Sequence, residues 1–147
     1  MTKGLRYGLA AVAFAAVAGT ALIADAQAPQ IAARQEVMKQ QAGANRVIVP
    51  MVRGEQPFNM AAAKQAANTL VTTAKQIPGA FGPGTEGGNA LPAVWTNKAD
   101  FDAKAKTLED AATRLAAAPD EAAFKAAFPA VGQACGGCHT PYRKPAS

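Results

Sequence analysis

Apolar residues recur at helical spacing along most of the chain, and capping and helix-breaking residues separate the repeats. The clearest repeat has spacings of 4, 3, 4 and 3 residues and consists of Phe101, Ala105, Leu108, Ala112 and Leu115. This spacing is typical of a helix that packs along the seam of a left-handed bundle. We expect this helix to begin after Asn97 and to end before Pro119.

A second repeat with the same spacing lies near the C-terminus and consists of Phe124, Phe128, Val131, Cys135 and Cys138. Asp120 precedes it in the position of an N-cap, and Pro129 predicts a local kink. Both cysteines therefore belong to the predicted core-facing stripe of this last helix.

Two helices with weaker apolar faces are predicted upstream of these. The first covers residues 31–52, and Pro50 is expected to kink or restart its last turn. The second begins at an Asn59 N-cap and runs through Lys75, because the Ile-Pro-Gly segment around Pro78 should stop it.

The stretch from Ile77 to Trp95 contains eight prolines and glycines, a density that predicts a long loop without regular structure. Four helices with otherwise short connections predict an all-α fold. The expected architecture is an antiparallel four-helix bundle with this Gly/Pro-rich loop between helices 2 and 3. Composition agrees, because 50% of residues are hydrophobic but only 6% are aromatic, and many are alanine, a strong helix former.

The first residues have the pattern of an export signal. Lys3 and Arg6 form a basic start, a short apolar run follows, and residues 24–26 (Ala-Asp-Ala) match a small-x-small cleavage site. We predict a cleaved signal peptide over residues 1–26 and one domain over residues 27–147. The alternative is an uncleaved membrane anchor, although the apolar run is short for a span and none downstream approaches the roughly 20 residues required.

Charge and motif content exclude several functional classes. The formal net charge is +5, but no cluster of Lys and Arg interleaved with aromatics is visible, so nucleic-acid binding is not predicted. The sequence contains no carboxylate pair, no second histidine and no phosphate-cradling motif. Hydrolytic or group-transfer catalysis therefore has no visible machinery, and we do not expect an enzyme.

The most specific chemistry belongs to the segment Cys135-Gly136-Gly137-Cys138-His139. Two thiols separated by two residues and followed by histidine form the attachment site of a c-type haem. Each thiol forms a thioether with one haem vinyl group, and the adjacent imidazole is held where it ligates the iron. The two glycines are expected to leave room for the ring. We predict one haem c per chain, attached through Cys135 and Cys138.

Three other interpretations of the cysteines carry less weight. A thioredoxin-like dithiol belongs beside a strand in an α/β pattern, whereas this motif ends a helix in an all-helical chain. A structural zinc site needs about four ligands, and this chain offers three of the usual kinds. A disulfide between thiols so close in sequence would constrain almost nothing. Export to an oxidising compartment agrees with haem attachment.

The sixth coordination position of the iron separates electron transfer from gas binding. Met38 is better placed than Met51 and Met60, because it lies in the middle of the first helix. Arg34 lies one turn earlier on the same face and is a candidate partner for a haem propionate. The alternatives are a methionine that only fills the core and an ordinary solvated arginine.

The chain resembles the class II c-type cytochromes, whose best-known branch is cytochrome c′, over essentially the whole predicted mature region. The resemblance rests on Ala33-Arg34-Gln35 with Met38, the 54–58 segment, the 81–90 loop, Trp95, and Cys135 to His139 followed by Tyr142-Arg143. A haem motif at the C-terminus is itself specific, since most small cytochromes c carry theirs near the N-terminus.

This resemblance implies a periplasmic four-helix bundle, often a homodimer through its first two helices, with His139 as the proximal ligand. It also implies that Gln35, Arg34 and the backbone around Asn89 contact haem propionates, and that Arg143 lies close to the proximal imidazole. Cytochrome c′ members keep a five-coordinate iron behind an apolar residue at the Met38 position, whereas other members use a methionine there as a ligand.

Three functions therefore remain open. The first is a periplasmic one-electron carrier with His139 and Met38 as axial ligands, which exchanges electrons with redox partner proteins. The second is a five-coordinate, cytochrome c′-like protein that binds NO or CO at the distal face. The third is a haem-free thiol oxidoreductase that uses Cys135 and Cys138.

Overall fold

The computed structural model describes residues 17–145, with side chains from residue 29 onward. Its helices are α1 (Val17–Arg53), α2 (Met60–Ala80), α3 (Ala93–Thr96), α4 (Lys98–Ala116) and α5 (Glu121–Tyr142). The closest packing joins α1 to α2, α2 to α4, and α4 to α5. The four long helices form the bundle, which confirms the all-α prediction. Within the described range, no helix combines the length and the hydropathy that crossing a bilayer requires.

Helix α1 begins earlier than the sequence predicts. Residues 1–16 of the predicted signal peptide lie outside the described residues, and α1 starts at Val17 rather than near Ile31. The alanine-rich sequence before Ile31 has high helix propensity, which explains the longer helix. The signal peptide and the boundary at residue 27 stay predictions.

Pro50, Pro78 and Pro129 all lie inside helices. Helix α1 continues past Pro50, α5 continues past Pro129, and α2 continues past Pro78 to Ala80, so the predicted end of α2 at Lys75 is wrong. A proline removes only one backbone hydrogen bond, and packing compensates for it here. Ile77 is 3% exposed and therefore holds the last turn of α2 against the core.

Local capping signals are confirmed where the sequence placed them. The Asn59 side chain accepts a hydrogen bond from the backbone N–H of Ala62 at 3.0 Å. The Asp120 side chain accepts one from Ala123 at 2.8 Å. Gly54 follows α1 with a φ of +75°, the left-handed conformation in which glycine commonly ends helices. The starts of α2 and α5 are thus fixed by short-range chemistry.

The core contains the predicted stripe of α4 in full: Phe101, Ala105, Leu108, Ala112 and Leu115 are all buried. On α5, Phe124 and Val131 are fully buried, whereas Cys135 and Cys138 are half-buried. The two cysteines are more accessible because they face a cavity rather than a packed neighbour. The N-terminal half of α5 therefore packs in the core of the bundle, and its C-terminal half lines the cavity.

The segment between α2 and α4 is more ordered than predicted. Its irregular part covers residues 81–92, and the one-turn helix α3 follows it. Ala90 and Arg143 form an isolated antiparallel bridge, and the Leu91 N–H donates to the carbonyl of Tyr142 at 2.9 Å. The loop is therefore tied to the C-terminal end of α5.

Substitutions of the neighbouring residues Val47 and Ile48 on α1 test which side of this helix packs in the core. Ile48 is 0% exposed and Val47 is 42% exposed. We expect Ile48→Ala to lower the free energy of unfolding by about 2–5 kcal/mol, because it leaves a cavity in the core. Val47→Ala should change it by about 0.5 kcal/mol or less. Urea unfolding followed by circular dichroism checks both values, and equal losses would contradict this packing.

Candidate haem-binding site

A cavity of about 580 Å³ lies between α1 and α5 and is bounded also by α4 and the 81–92 loop. Its walls are largely apolar and include Phe81, Val94, Phe101 and Leu108. All eight residues singled out from the sequence line it, namely Arg34, Gln35, Met38, Asn89, Cys135, Cys138, His139 and Arg143. Its size falls within the range of about 300–1,000 Å³ that is usual for cofactor sites.

Helix α5 brings the thiols and the imidazole to one wall of the cavity. Residues three and four apart share a helix face, so Cys135, Cys138 and His139 project to the same side. All three side chains are half-buried. Gly136 and Gly137 are exposed and do not line the cavity. The expectation that these glycines clear room for the ring therefore has no support in the structure.

The electrostatics of this wall disfavour a reactive dithiol. Burial raises the pKa of Cys135 and of Cys138, and both thiols are free. Redox-active Cys-x-x-Cys sites instead lower a thiol pKa so that the thiolate forms. Burial, and secondarily the charge of Arg143, lowers the pKa of His139. A neutral imidazole keeps a nitrogen lone pair available to a metal.

Arg34 places a buried cation at the opposite wall. It is 4% exposed, so the alternative of a solvated arginine is excluded. Its guanidinium donates to the carbonyls of Thr85 at 2.6 Å and Gly87 at 3.2 Å, and it lies 4.8 Å from the centre of the Phe81 ring. Burial lowers the Arg34 pKa, and the charge of Glu86 opposes this shift. Because these hydrogen bonds go to neutral carbonyls, the site favours an additional anionic group.

Only one of the three candidate methionines lines the cavity, and it is Met38, on α1. Met51 is 4% exposed, and its Sδ accepts a hydrogen bond from the backbone N–H of Asn59 at 3.3 Å. It therefore joins α1 to the start of α2. Met60 begins α2 and is not part of the cavity wall.

The rim of the cavity combines exposed polar groups with a tightly held loop. Gln35, Asn89 and Arg143 are exposed and stand at the rim. The Trp95 indole N–H donates to the carbonyl of Gly82 at 3.0 Å, and Lys144 Nζ donates to the carbonyl of Gly88 at 2.8 Å. These bonds tie the loop to α3 and to the segment after α5, whereas Arg34 ties it to α1.

Sequence reasoning gave no separate role to two further residues of the wall. Tyr142 is 5% exposed, and its hydroxyl donates to the carboxylate of Asp100, which raises the Tyr142 pKa to about 12. This bond joins the end of α5 to the start of α4, one turn from His139. Gln41 is a buried polar residue on α1. Tyr142 lies three residues after His139, so helical periodicity could have placed both on the same face of α5. No sequence pattern indicates a site role for Gln41, because only its burial in the structure distinguishes it.

A sequence profile described as Cytochrome C′ matches residues 29–143. The chain belongs to the cytochrome c′ family. A cytochrome c-556 from Agrobacterium tumefaciens (strain II Chrys) is 40% identical over 119 residues, which cover 79% of this chain and 98% of that protein. A cytochrome c′ from Alcaligenes xylosoxydans xylosoxydans is 39% identical over 100 residues, which cover 66% and 79% respectively.

Solved structures of the cytochrome c′ family agree with the observed bundle. A nitric oxide complex of a mutant of cytochrome c prime from Alcaligenes xylosoxidans superposes with a TM-score of 0.77 at 34% sequence identity. The match covers 82% of this chain and 97% of that chain. Family membership identifies this chain as a haem c protein, and the apolar cavity with its thiols, imidazole and buried cation fits that cofactor.

The close approach of the loop to α1 depends on Gly88. This residue has a φ of +61°, and a Cβ placed on it would lie 3.2 Å from Cγ2 of Ile31. We expect Gly88→Ala to destabilise the protein by about 1–3 kcal/mol, because it adds backbone strain and crowding. Gly43→Ala is the matched control, since its Cβ would meet nothing within 4 Å. Thermal unfolding should show the control unchanged or stabilised by about 0.5–1 kcal/mol, and equal behaviour would contradict this view of the loop.

Proposed function

We propose that this protein is a periplasmic one-electron carrier whose haem c is attached through Cys135 and Cys138, with His139 and Met38 as axial ligands. The observation that carries the proposal is the shared cavity: Met38 lines it from α1, and His139 lines it from α5. Haem iron supplies the reversible change between the ferric and ferrous states. The Agrobacterium relative named as a cytochrome c-556 matches over 98% of its own length, which supports a c-type cytochrome.

The residues around the cavity suit electron transfer. The lowered pKa of His139 favours the neutral imidazole, whose ring nitrogen would be available to the iron. The thioether of Met38 and the apolar wall favour the ferrous state and so raise the reduction potential. Both ligands project from helices of one bundle, which holds their positions more firmly than loops would.

Arg34 is proposed to neutralise a haem propionate. Its buried guanidinium already uses two donors on loop carbonyls, and an arginine has five N–H donors in total. A carboxylate would therefore find both free donors and a buried positive charge whose desolvation outweighs the attraction of Glu86. Gln35 and Asn89 stand at the same rim and are proposed to contact the propionates, and Arg143 is proposed to lie beside His139.

Export and partners complete the proposal. We propose that residues 1–26 are a signal peptide that is removed in the periplasm, where redox proteins exchange electrons with the haem. Lys39 and Lys104 also line the cavity, where they form ion pairs with Glu36 at 4.0 Å and with Asp100 at 3.7 Å. Without residues 1–26 the formal net charge is +4, so the exported protein would attract a partner with an acidic surface through long-range electrostatics.

A second candidate function is gas binding. The supporting observation is that solved relatives at 34% identity are nitric oxide complexes of cytochrome c prime. In that case Met38 would only crowd the distal face and the iron would be five-coordinate. Rapid binding of CO by the reduced protein would favour this function over electron transfer.

Substitution of Met38 separates the two functions. If Met38 ligates the iron, Met38→Ala removes a strong-field ligand, so the ferric spectrum should change from low-spin to high-spin and the ferrous protein should begin to bind CO. Met60→Ala is the matched control, because Met60 does not line the cavity, and its spectra should equal those of the unaltered protein. An unchanged spin state in Met38→Ala would remove Met38 from the ligand set.

A further inference from the structure

One buried polar group of the cavity wall has no role in the proposed electron transfer. Gln41 is 7% exposed and lines the same cavity as Met38. Among the described residues with side chains, its Nε2 is the single buried side-chain nitrogen or oxygen without a hydrogen-bond partner. Burial without a partner is unfavourable for an amide, so such a group indicates a missing acceptor or a function.

The position of Gln41 on α1 indicates where that acceptor would come from. Residues three apart on a helix are neighbours on one face, so Gln41 follows Met38 with a rise of about 4.5 Å. Arg34 lies about two turns away, where it meets the loop. The amide is therefore close to Met38 and far from the rim at which the propionates are proposed to lie.

Neighbouring polar groups leave the amide available. Asn45 donates from its side chain to the backbone carbonyl of Gln41 at 3.1 Å, and this bond does not involve the Gln41 side chain. The facing wall includes the apolar residues Leu108 of α4 and Ala134 of α5, together with Lys104, whose ammonium only donates. An acceptor for the N–H of Gln41 is thus expected on the side of the cavity itself.

We propose that Gln41 is a hydrogen-bond donor on the distal side of the haem, which selects small iron ligands whose outer atom accepts a hydrogen bond. The inference rests on the proposed haem site with Met38 on the distal side. It does not depend on whether Met38 ligates the iron, because the amide acts on the ligand that takes the place of Met38. An anion such as azide carries negative charge on its terminal nitrogen and accepts strongly, whereas CO accepts weakly.

The test uses the haem-loaded Met38→Ala protein as the parent, since its iron is open to added ligands. In this parent, Gln41→Leu removes the donor, and Gln41→Asn keeps the amide but shortens its reach. Gln40→Leu is the matched control, because Gln40 is an exposed neighbour that contacts Glu36. Azide binding to the ferric protein, CO binding to the ferrous protein and the C–O stretching frequency are measured for each.

From the usual net free energy of one hydrogen bond, we expect Gln41→Leu to weaken azide binding about three- to tenfold. CO affinity should change by about twofold or less, because CO is a weak acceptor. The C–O stretching frequency should shift upward, because the positive end of the amide dipole no longer faces the ligand oxygen. Gln41→Asn should fall between the parent and Gln41→Leu, and Gln40→Leu should equal the parent. The frequency shift is a local electrostatic effect that a purely structural role would not produce.

The test distinguishes failure of the Gln41 proposal from failure of the proposed haem site. If the parent binds CO but Gln41→Leu and Gln41→Asn keep its azide affinity and C–O frequency, the role of Gln41 is refuted and the haem site stands. An equal loss in Gln40→Leu would refute it as well. If the parent carries haem but its ferrous spectrum does not respond to CO, the distal assignment of Met38 is refuted, and the inference about Gln41 falls with it.

Discussion

The structure depends on one geometric constraint with two halves. One face of α5 must present two thiols and an imidazole to the cavity, and α1, on the other side, must leave that cavity open. Helix α5 meets the first half of this constraint because Cys135, Cys138 and His139 are three and four residues apart. The second half is met by packing, since α2 and α4 hold the bundle together while α1 and α5 face each other across the cavity. A haem c between them would complete the core.

The two cavity walls differ in their electrostatic character. The α5 wall disfavours charge, because burial raises the pKa of both thiols and lowers that of His139. The α1 wall carries the buried cation Arg34, which loop carbonyls and the Phe81 ring hold in place. An amphipathic cofactor with an apolar ring and anionic substituents matches this division. The same division explains why the loop, whose carbonyls fix Arg34, is tied to both α1 and α5.

Signals that act over a few residues were readable in the sequence. The caps at Asn59 and Asp120 and the stripe that includes Leu108 required only helical periodicity and side-chain chemistry. Features decided by tertiary packing were not readable, as the continuation of α2 past Pro78 shows, since it depends on the burial of Ile77. For the site, spacing predicted the α5 wall. Gln41 could not be found in this way, because a glutamine becomes informative only when its burial and lack of partners are known.

In the proposed function, Met38 and His139 hold the haem iron from two helices of the bundle. The most direct test is the ultraviolet–visible spectrum of the unaltered haem-loaded protein when oxidised, when reduced, and when reduced under CO. This ligand pair predicts sharp, split bands in the reduced protein, a weak far-red methionine-to-iron band in the oxidised protein, and no response to CO. Broad high-spin bands with a large shift under CO would contradict it and would instead indicate an open iron that binds small gases.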